Sequence, residues 1–219
     1  MNTLNLKNRP FSLPDILFSI LLCAGALLVW QQYHSYLDYY EQGILIGSVA
    51  GLIWLGWFWP ALRLFFPLCG ALALAAIALY AGDLSRGQTA FWLKYVLASQ
   101  SAVMWMCVLF FLATLLYWLG LLRKSATALS IASWLTWAAA AAAMISKLVR
   151  WYESYLIGAD VGHIPVSNLY EVFILFCLMT ALMYLYYEGR FAAKQMGAFV
   201  LLVISAAVGF ILWYSLDRQ

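Results

Sequence analysis

Long apolar runs separated by short polar segments constrain this sequence more than any other feature. A helix that crosses the hydrocarbon core of a bilayer needs roughly 20 mostly apolar residues. About seven runs of that kind follow one another, and they use almost the whole of the 219 residues. The sequence therefore predicts an all-α integral membrane protein with about seven transmembrane helices, at residues 15–33, 44–60, 64–81, 95–119, 126–148, 169–187 and 197–214.

The composition supports this fold class and excludes others. Hydrophobic residues make up 66% of the chain and charged residues only 10%, whereas a soluble domain carries about 25% charged residues. The net charge of +3 is spread out, with no basic run of the kind that binds nucleic acid. The cysteines form no Cys-x-x-Cys pair, so no redox motif or zinc site is predicted, and four buried free thiols are expected: Cys23, Cys69, Cys107 and Cys177.

The charges in the predicted loops indicate an orientation. With the N-terminus in the cytoplasm, the inner segments hold seven Lys and Arg residues and the outer segments five, while seven acidic residues lie outside and two inside. Positive charge is enriched in cytoplasmic loops. We therefore predict a cytoplasmic N-terminus and an outer C-terminus. Arg63, in the middle of the apolar run 44–80, predicts a tight inner turn between the second and third spans.

Two short patterns predict where helices begin. Ser12-Leu-Pro-Asp15 precedes the first span and has the form of a capping box, with a proline in the first turn. No small-residue cleavage site follows the first apolar run, so we expect that span to stay attached. Asn168-Leu-Tyr-Glu171 precedes the sixth span, and there Asn168 would cap the helix while Glu171 reaches back to free backbone N–H groups.

Two outer segments carry most of the remaining chemistry, residues 34–42 and 150–171. They hold the two histidines of the chain, His34 and His163. A loop imidazole can ligate haem iron or donate a hydrogen bond to a nearby carbonyl, and the residues alone leave both roles open. Arg150 and its neighbour Trp151 have the character of interfacial anchors.

The second of these segments carries a family resemblance. Arg150-Trp151 followed by Gly162-His163-x-Pro165-x-x-Asn168-x-Tyr170-Glu171 resembles the segment that marks the CcsA family, also called CcsB or ResC in bacteria, of system II cytochrome c biogenesis. Residues 36–41, 99–102 and 197–202 resemble proteobacterial members as well, so the likeness covers essentially the whole chain.

This resemblance implies a function in the bacterial inner membrane. Family members deliver haem to the outer face and attach it to apocytochrome c, where the haem vinyl groups form thioethers with a Cys-x-x-Cys-His motif. They work with a partner of the ResB or Ccs1 type that carries a large outer domain. Haem, the apocytochrome, this partner and the lipid bilayer are therefore the expected cofactor and partners.

The sequence also departs from the family pattern. The tryptophan-rich haem-handling loop, Trp-Gly-x-x-Trp-x-Trp-Asp-Pro, and its flanking haem-ligand histidines are absent, and Trp54-Leu-Gly-Trp-Phe-Trp-Pro60 lacks the Asp and faces the predicted inner side. The resemblance thus implies an N-terminal part of such a protein, without catalytic residues and without stable haem binding alone. His163 is the one candidate metal ligand. We expect a structural shelf beside the haem site, formed by Arg150, Trp151, Gly162, His163, Pro165, Asn168, Tyr170 and Glu171.

The predicted organisation is five spans in residues 1–149, an outer loop at 150–168 and two further spans in 169–219. Two other functions remain open. A small-molecule transporter would place ionisable groups near the bilayer midplane, and no such residue is evident. A non-catalytic scaffold would dock partner subunits through small-residue faces such as the alanine run 138–143.

Overall fold

The structure, a computed structural model, describes residues 12–33, 39–158 and 164–217. These residues are mostly helical and contain no β-strand. A π-helical turn at Leu93–Leu97 and a 3-10 turn at Lys194–Met196 connect longer elements. The α-helices are α1 (Leu13–Tyr33), α2 (Tyr39–Phe58), α3 (Leu62–Tyr80), α4 (Arg86–Thr89), α5 (Ser99–Leu122), α6 (Ala126–Ile157), α7 (Leu169–Phe191) and α8 (Gly197–Asp217).

The predicted fold class is confirmed. Within the described ranges, six helices are long and apolar enough to cross a membrane, namely α1, α3, α5, α6, α7 and α8. The remaining predicted span corresponds to α2, whose apolar part, Gln42–Phe58, is shorter. The chain is therefore an all-α, multi-pass membrane protein, while the orientation deduced from the loop charges stays a prediction.

The chain divides into two compact units, Met1–Phe66 and Pro67–Gln219. In the first unit, α1 and α2 pack side by side. They run in opposite directions, since residues at the start of α1 contact residues at the end of α2. Phe18 is buried against Gly56, where an added Cβ would lie 2.3 Å from the Phe18 Cε1 atom. Any larger residue at this position would push the two helices apart.

A buried ion pair fixes the end of this first unit. The Asp15 carboxylate accepts hydrogen bonds from the backbone N–H of Ser12 at 2.8 Å and from its hydroxyl at 2.5 Å, and it pairs with the Arg63 guanidinium. Arg63 Nε also donates to the backbone carbonyl of Gly56 at 2.8 Å. The predicted capping by Asp15 and the predicted tight turn at Arg63 are both confirmed, since α2 ends at Phe58 and α3 begins at Leu62.

The second unit is a bundle in which α5 packs against α6 and α8, and α7 packs against α6 and α8. Small residues allow the helices to approach closely. On α6, Ala139, Ala140 and Ala143 are fully buried within the chain itself, so this face of the alanine run is used for internal packing. Gly120 of α5 contacts Leu129 of α6, and a Cβ added there would lie 2.8 Å from the leucine side chain.

The connection from α3 to α5 is more structured than the sequence predicts. Ala81 and Gly82 adopt positive φ angles of 48° and 80° and end α3. The Asp83 carboxylate then accepts hydrogen bonds from the hydroxyl and the backbone N–H of Ser85, and these bonds lower the pKa of the Asp83 carboxyl below its ordinary value. The helix α5 begins at Ser99 rather than Tyr95, because the preceding residues form the π-helical turn.

The largest correction concerns the polar segment after the fifth span. Helix α6 continues to Ile157, so the connection to α7 begins at Gly158 and not at Arg150 as the predicted loop 150–168 assumes. The polar residues of this stretch follow the helix period. Glu153 and Ser154 are buried against the bundle, while Trp151 is exposed. A polar composition was therefore a poor guide to the end of this helix, since its charges have partners inside the protein.

The predicted orientation can be tested at two exposed turns of the second unit. We expect a cysteine placed at Asp83 to react with a membrane-impermeant maleimide added to intact cells, and a cysteine at Lys124 to react only after permeabilisation, because these turns lie at opposite ends of α5. The four native cysteines would be replaced by serine or alanine beforehand. Labelling of position 124 in intact cells would reject this orientation.

Candidate functional site: two buried carboxylate clusters

The first cluster is centred on Glu153, near the end of α6. Its carboxylate is buried and accepts three hydrogen bonds from two other helices. The Tyr80 hydroxyl of α3 donates to Oε1 at 2.7 Å, and Ser99 of α5 donates from its backbone N–H to Oε1 at 3.0 Å and from its hydroxyl to Oε2 at 2.5 Å. A buried carboxylate needs such donors, because burial removes it from water. Glu153 therefore ties α3, α5 and α6 together.

Arg150 extends this Glu153 cluster towards α7. Its guanidinium lies 3.8 Å from Oε2 of Glu153 and 3.7 Å from Oε1 of Glu171, measured from its Nη1 and Nε atoms respectively. The Arg150 side chain is 40% exposed, whereas the two carboxylates are buried. One cation at the edge of the bundle thus balances two acidic residues that lie behind it, and this contact is more than the interfacial anchoring predicted for Arg150.

Lys147, one helical turn before Arg150, binds the backbone that leads into α7. It is buried, and its ammonium group donates to the backbone carbonyls of Pro165, at 2.5 Å, and Glu171. These carbonyls lie at the start of α7 and just before it. Lys147 therefore fixes the path by which the chain enters α7 and keeps the segment 164–168 against α6.

The predicted cap of α7 is confirmed. Asn168 Oδ1 accepts a hydrogen bond from the backbone N–H of Glu171 at 2.8 Å. The Glu171 carboxylate accepts from the backbone N–H of Ser167 at 3.2 Å, one residue earlier than in a standard capping box. Glu171 consequently serves both the cap and the ion pair with Arg150.

The structure brings together only some of the eight residues that carry the family resemblance. Arg150, Pro165, Asn168 and Glu171 all take part in the Glu153 cluster. Trp151 is exposed, and Tyr170 stacks on Tyr214 of α8 with the ring centres 6.5 Å apart. The expectations for Gly162, His163 and His34 lie outside the described residues.

The groups that form the Glu153 cluster are not typical haem ligands. No group of three or more His, Cys, Asp or Glu residues in the described parts of the chain is placed to hold a metal ion. Haem iron is usually held by His, Cys, Met or Tyr, and the only phenol of the Glu153 cluster, Tyr80, donates its hydroxyl to Glu153. Buried free thiols are confirmed at Cys69, Cys107 and Cys177, while Cys23 is free but exposed, so its predicted burial was wrong.

A second cluster surrounds Glu188, near the end of α7, and sequence reasoning missed it. The buried Glu188 carboxylate accepts from the hydroxyls of Tyr117 at 2.6 Å and Tyr184 at 2.5 Å through Oε2, and from the Ser133 hydroxyl at 2.5 Å through Oε1. These donors come from α5, α7 and α6. The Glu188 cluster therefore joins three helices in the way that the Glu153 cluster does.

The 3-10 turn before α8 closes the Glu188 cluster. The Lys194 ammonium group donates to the Ser130 hydroxyl at 3.0 Å, and the Tyr184 hydroxyl also reaches the backbone carbonyl of Lys194 at 3.3 Å. Gly197 follows directly. A Cβ added to it would lie 2.4 Å from Cε1 of Tyr117 and 2.5 Å from the Tyr184 hydroxyl, so only glycine leaves room for both rings.

The separation of the two clusters bears on the transporter alternative. Ser133 and Glu153 are 20 residues apart on α6, which corresponds to about 30 Å along a helix axis, close to the thickness of the hydrocarbon core. Between them α6 presents the buried alanines 139, 140 and 143. The buried acidic groups thus lie near the ends of the bundle, and the described interior of α6 offers no acidic residue at mid-depth for a transported ion.

Comparison with protein-family models, with curated proteins and with solved structures gives no match. The resemblance to the CcsA family therefore depends on the residues of this sequence that carry it.

The packing of the Glu188 cluster against Gly197 predicts how one added methyl group changes the stability of the protein. Gly197→Ala should destabilise the protein by about 1–3 kcal/mol, because the new methyl group displaces Tyr117 and Tyr184 from Glu188. The unfolding temperature, followed by intrinsic fluorescence in detergent, measures this loss. Gly189→Ala on α7 is the matched control, since no atom lies within 4 Å of its added Cβ and alanine favours a helix. Equal unfolding temperatures for the two variants would contradict the packing described.

Proposed function

We propose that this chain is a membrane component of system II cytochrome c maturation, of the CcsA type, in the bacterial inner membrane. In this role it takes part in haem delivery to the outer face and in haem attachment to an apocytochrome c with a Cys-x-x-Cys-His motif. Its partner is a membrane protein of the ResB or Ccs1 type. The support is the resemblance of residues 150–171, together with one structural observation.

That observation is the convergence of the resembling residues on one cluster. Arg150 contacts Glu153 and Glu171, Asn168 caps α7, and the Pro165 carbonyl accepts from Lys147. Each of them fixes one end of the connection between α6 and α7. Loops held by a rigid framework are where binding and catalytic residues concentrate. The proposal therefore gives these four residues a positioning role for the segment that contains Gly162 and His163.

The proposal does not assign haem ligation to the residues of the Glu153 cluster. The Glu153 cluster offers carboxylates, a guanidinium, an ammonium group and hydroxyls that already have partners, which is not a haem-ligand set. Within this chain, His163 is the one candidate ligand. The function proposed for the described residues of this cluster is accordingly to position the segment between α6 and α7 at one end of the bundle.

The proposal is tested by deleting the gene in its own host and measuring covalently bound haem on c-type cytochromes after denaturing electrophoresis. We expect c-type haem to be lost and b-type haem to be unchanged, because covalent attachment is needed only for the former. Expression of the intact protein should restore c-type haem. Restoration should be weaker with Arg150→Met, which removes the cation shared by Glu153 and Glu171.

Arg123→Met is the matched control. Arg123 is exposed and follows the last residue of α5, at the opposite end of that helix from Ser99 and the Glu153 cluster. The abundance of each variant in the membrane is measured in parallel, so that a loss of protein is distinguished from a loss of function. Unchanged c-type haem in the deletion strain would contradict the proposal. Equal loss of b-type and c-type haem would contradict it too, since it would indicate haem supply and not attachment.

A further inference from the structure

A groove of about 330 Å³ runs along the beginning of α5, on the side that faces away from the bundle. It is independent of both carboxylate clusters and of the proposed function. Most of its wall is apolar. Its lining consists of Lys94, Tyr95, Ser101, Met104, Trp105 and Val108.

A break in the helix creates this groove. Ala98 has an extended conformation, with φ −59° and ψ 149°, so the π-helical turn Leu93–Leu97 does not continue directly into α5. Two hydrogen bonds hold the offset in place. The Trp105 Nε1–H donates to the backbone carbonyl of Tyr95 at 2.7 Å, and the Ser101 hydroxyl donates to that of Lys94 at 2.6 Å. The backbone offset beside the groove is therefore held by side chains of α5.

The lining changes from charged to apolar along the groove. At one end lies Lys94, an exposed cation with no carboxylate within ion-pair distance in the described parts of the chain. Along α5 follow Met104, Trp105 and Val108, which are 54%, 48% and 51% exposed. Because α5 is a membrane-spanning helix, this exposed apolar end lies against acyl chains, while a lysine at the end of a span extends towards the headgroups.

We propose that this groove binds one phospholipid with an anionic headgroup, from the leaflet that meets the Ser99 end of α5. The headgroup phosphate contacts the Lys94 ammonium group, and one acyl chain lies against Met104, Trp105 and Val108. The charge of Lys94 and the order of the lining match the order of the lipid, with its anionic group followed by its hydrocarbon. The donors of Trp105 and Ser101 are already used by backbone carbonyls, so the apolar part of the groove accepts a hydrocarbon chain without leaving polar groups unpaired.

Native mass spectrometry of the full chain in mild detergent tests this proposal. The probes are phosphatidylglycerol and phosphatidylcholine with identical acyl chains. We expect the intact protein to retain one phosphatidylglycerol in preference to phosphatidylcholine. Lys94→Gln should lower this retention about fivefold, the change expected for one cation at a membrane surface, and Lys94→Arg should keep it.

Val108→Trp tests the hydrocarbon part, because the larger side chain fills the groove. It should lower the retention of phosphatidylglycerol, whereas Leu115→Trp, two turns further along α5 at a similarly exposed position, should not. Arg123→Gln is the charge control at the far end of α5. Size-exclusion profiles of all variants check that they are folded. Unchanged retention in Lys94→Gln, equal retention of both lipids by the intact protein, or equal effects of the two tryptophan variants would overturn the proposal.

Discussion

Each of the two buried carboxylates, Glu153 and Glu188, is surrounded by hydroxyl or amide donors from neighbouring helices, and the arrangement of the bundle depends on these contacts. An unpaired carboxylate inside a protein is strongly unfavourable, because burial removes it from water. Contacts between small and apolar side chains also stabilise the bundle. The hydrogen bonds from Tyr80 and Ser99 to Glu153 add directional contacts, because each bond fixes one helix against another.

The same contacts connect the fold to the candidate site. The Glu153 cluster continues through Arg150 to Glu171, and Lys147 adds the backbone of the segment before α7. The residues through which the chain enters α7, from Pro165 to Glu171, are thereby held against α6. This explains in physical terms why the resembling residues include charged side chains at one end of a membrane bundle, where the desolvation of an isolated charge would be unfavourable.

The sequence predicted those features that depend on local chemistry. The lengths of the apolar runs predicted the spans. Asp15 and Asn168 predicted where two helices begin, and Arg63 predicted the turn between α2 and α3. It did not predict the extension of α6, because Glu153 increases the polar character of residues 150–157 and only its distant partners reveal that it is buried. A local indication that α6 continues was the spacing of its charged residues. Lys147, Arg150 and Glu153 are three residues apart and lie on one helix face.

Glu188 escaped prediction for a similar reason. Its partners Tyr117 and Ser133 are 71 and 55 residues away in the chain, and tyrosines near the ends of spans are usually enriched at the membrane interface. Local patterns contain no information about which tyrosine turns inward. The same limit applies to the groove beside α5, since no helix-breaking residue marks the extended conformation at Ala98.

The central claim, that donors from other helices hold the buried carboxylates and thereby the bundle, is tested most directly by a double-mutant cycle between Tyr80 and Glu153. Free energies of unfolding in micelles would be measured for Tyr80→Phe, Glu153→Met and their combination, with exposed Tyr187→Phe replacing Tyr80→Phe in a control cycle. We expect a coupling energy of about 1–3 kcal/mol for the first cycle, because Glu153→Met leaves the Tyr80 hydroxyl unpaired, and additivity for the control. Additive effects in both cycles, to within about 0.5 kcal/mol, would contradict the account.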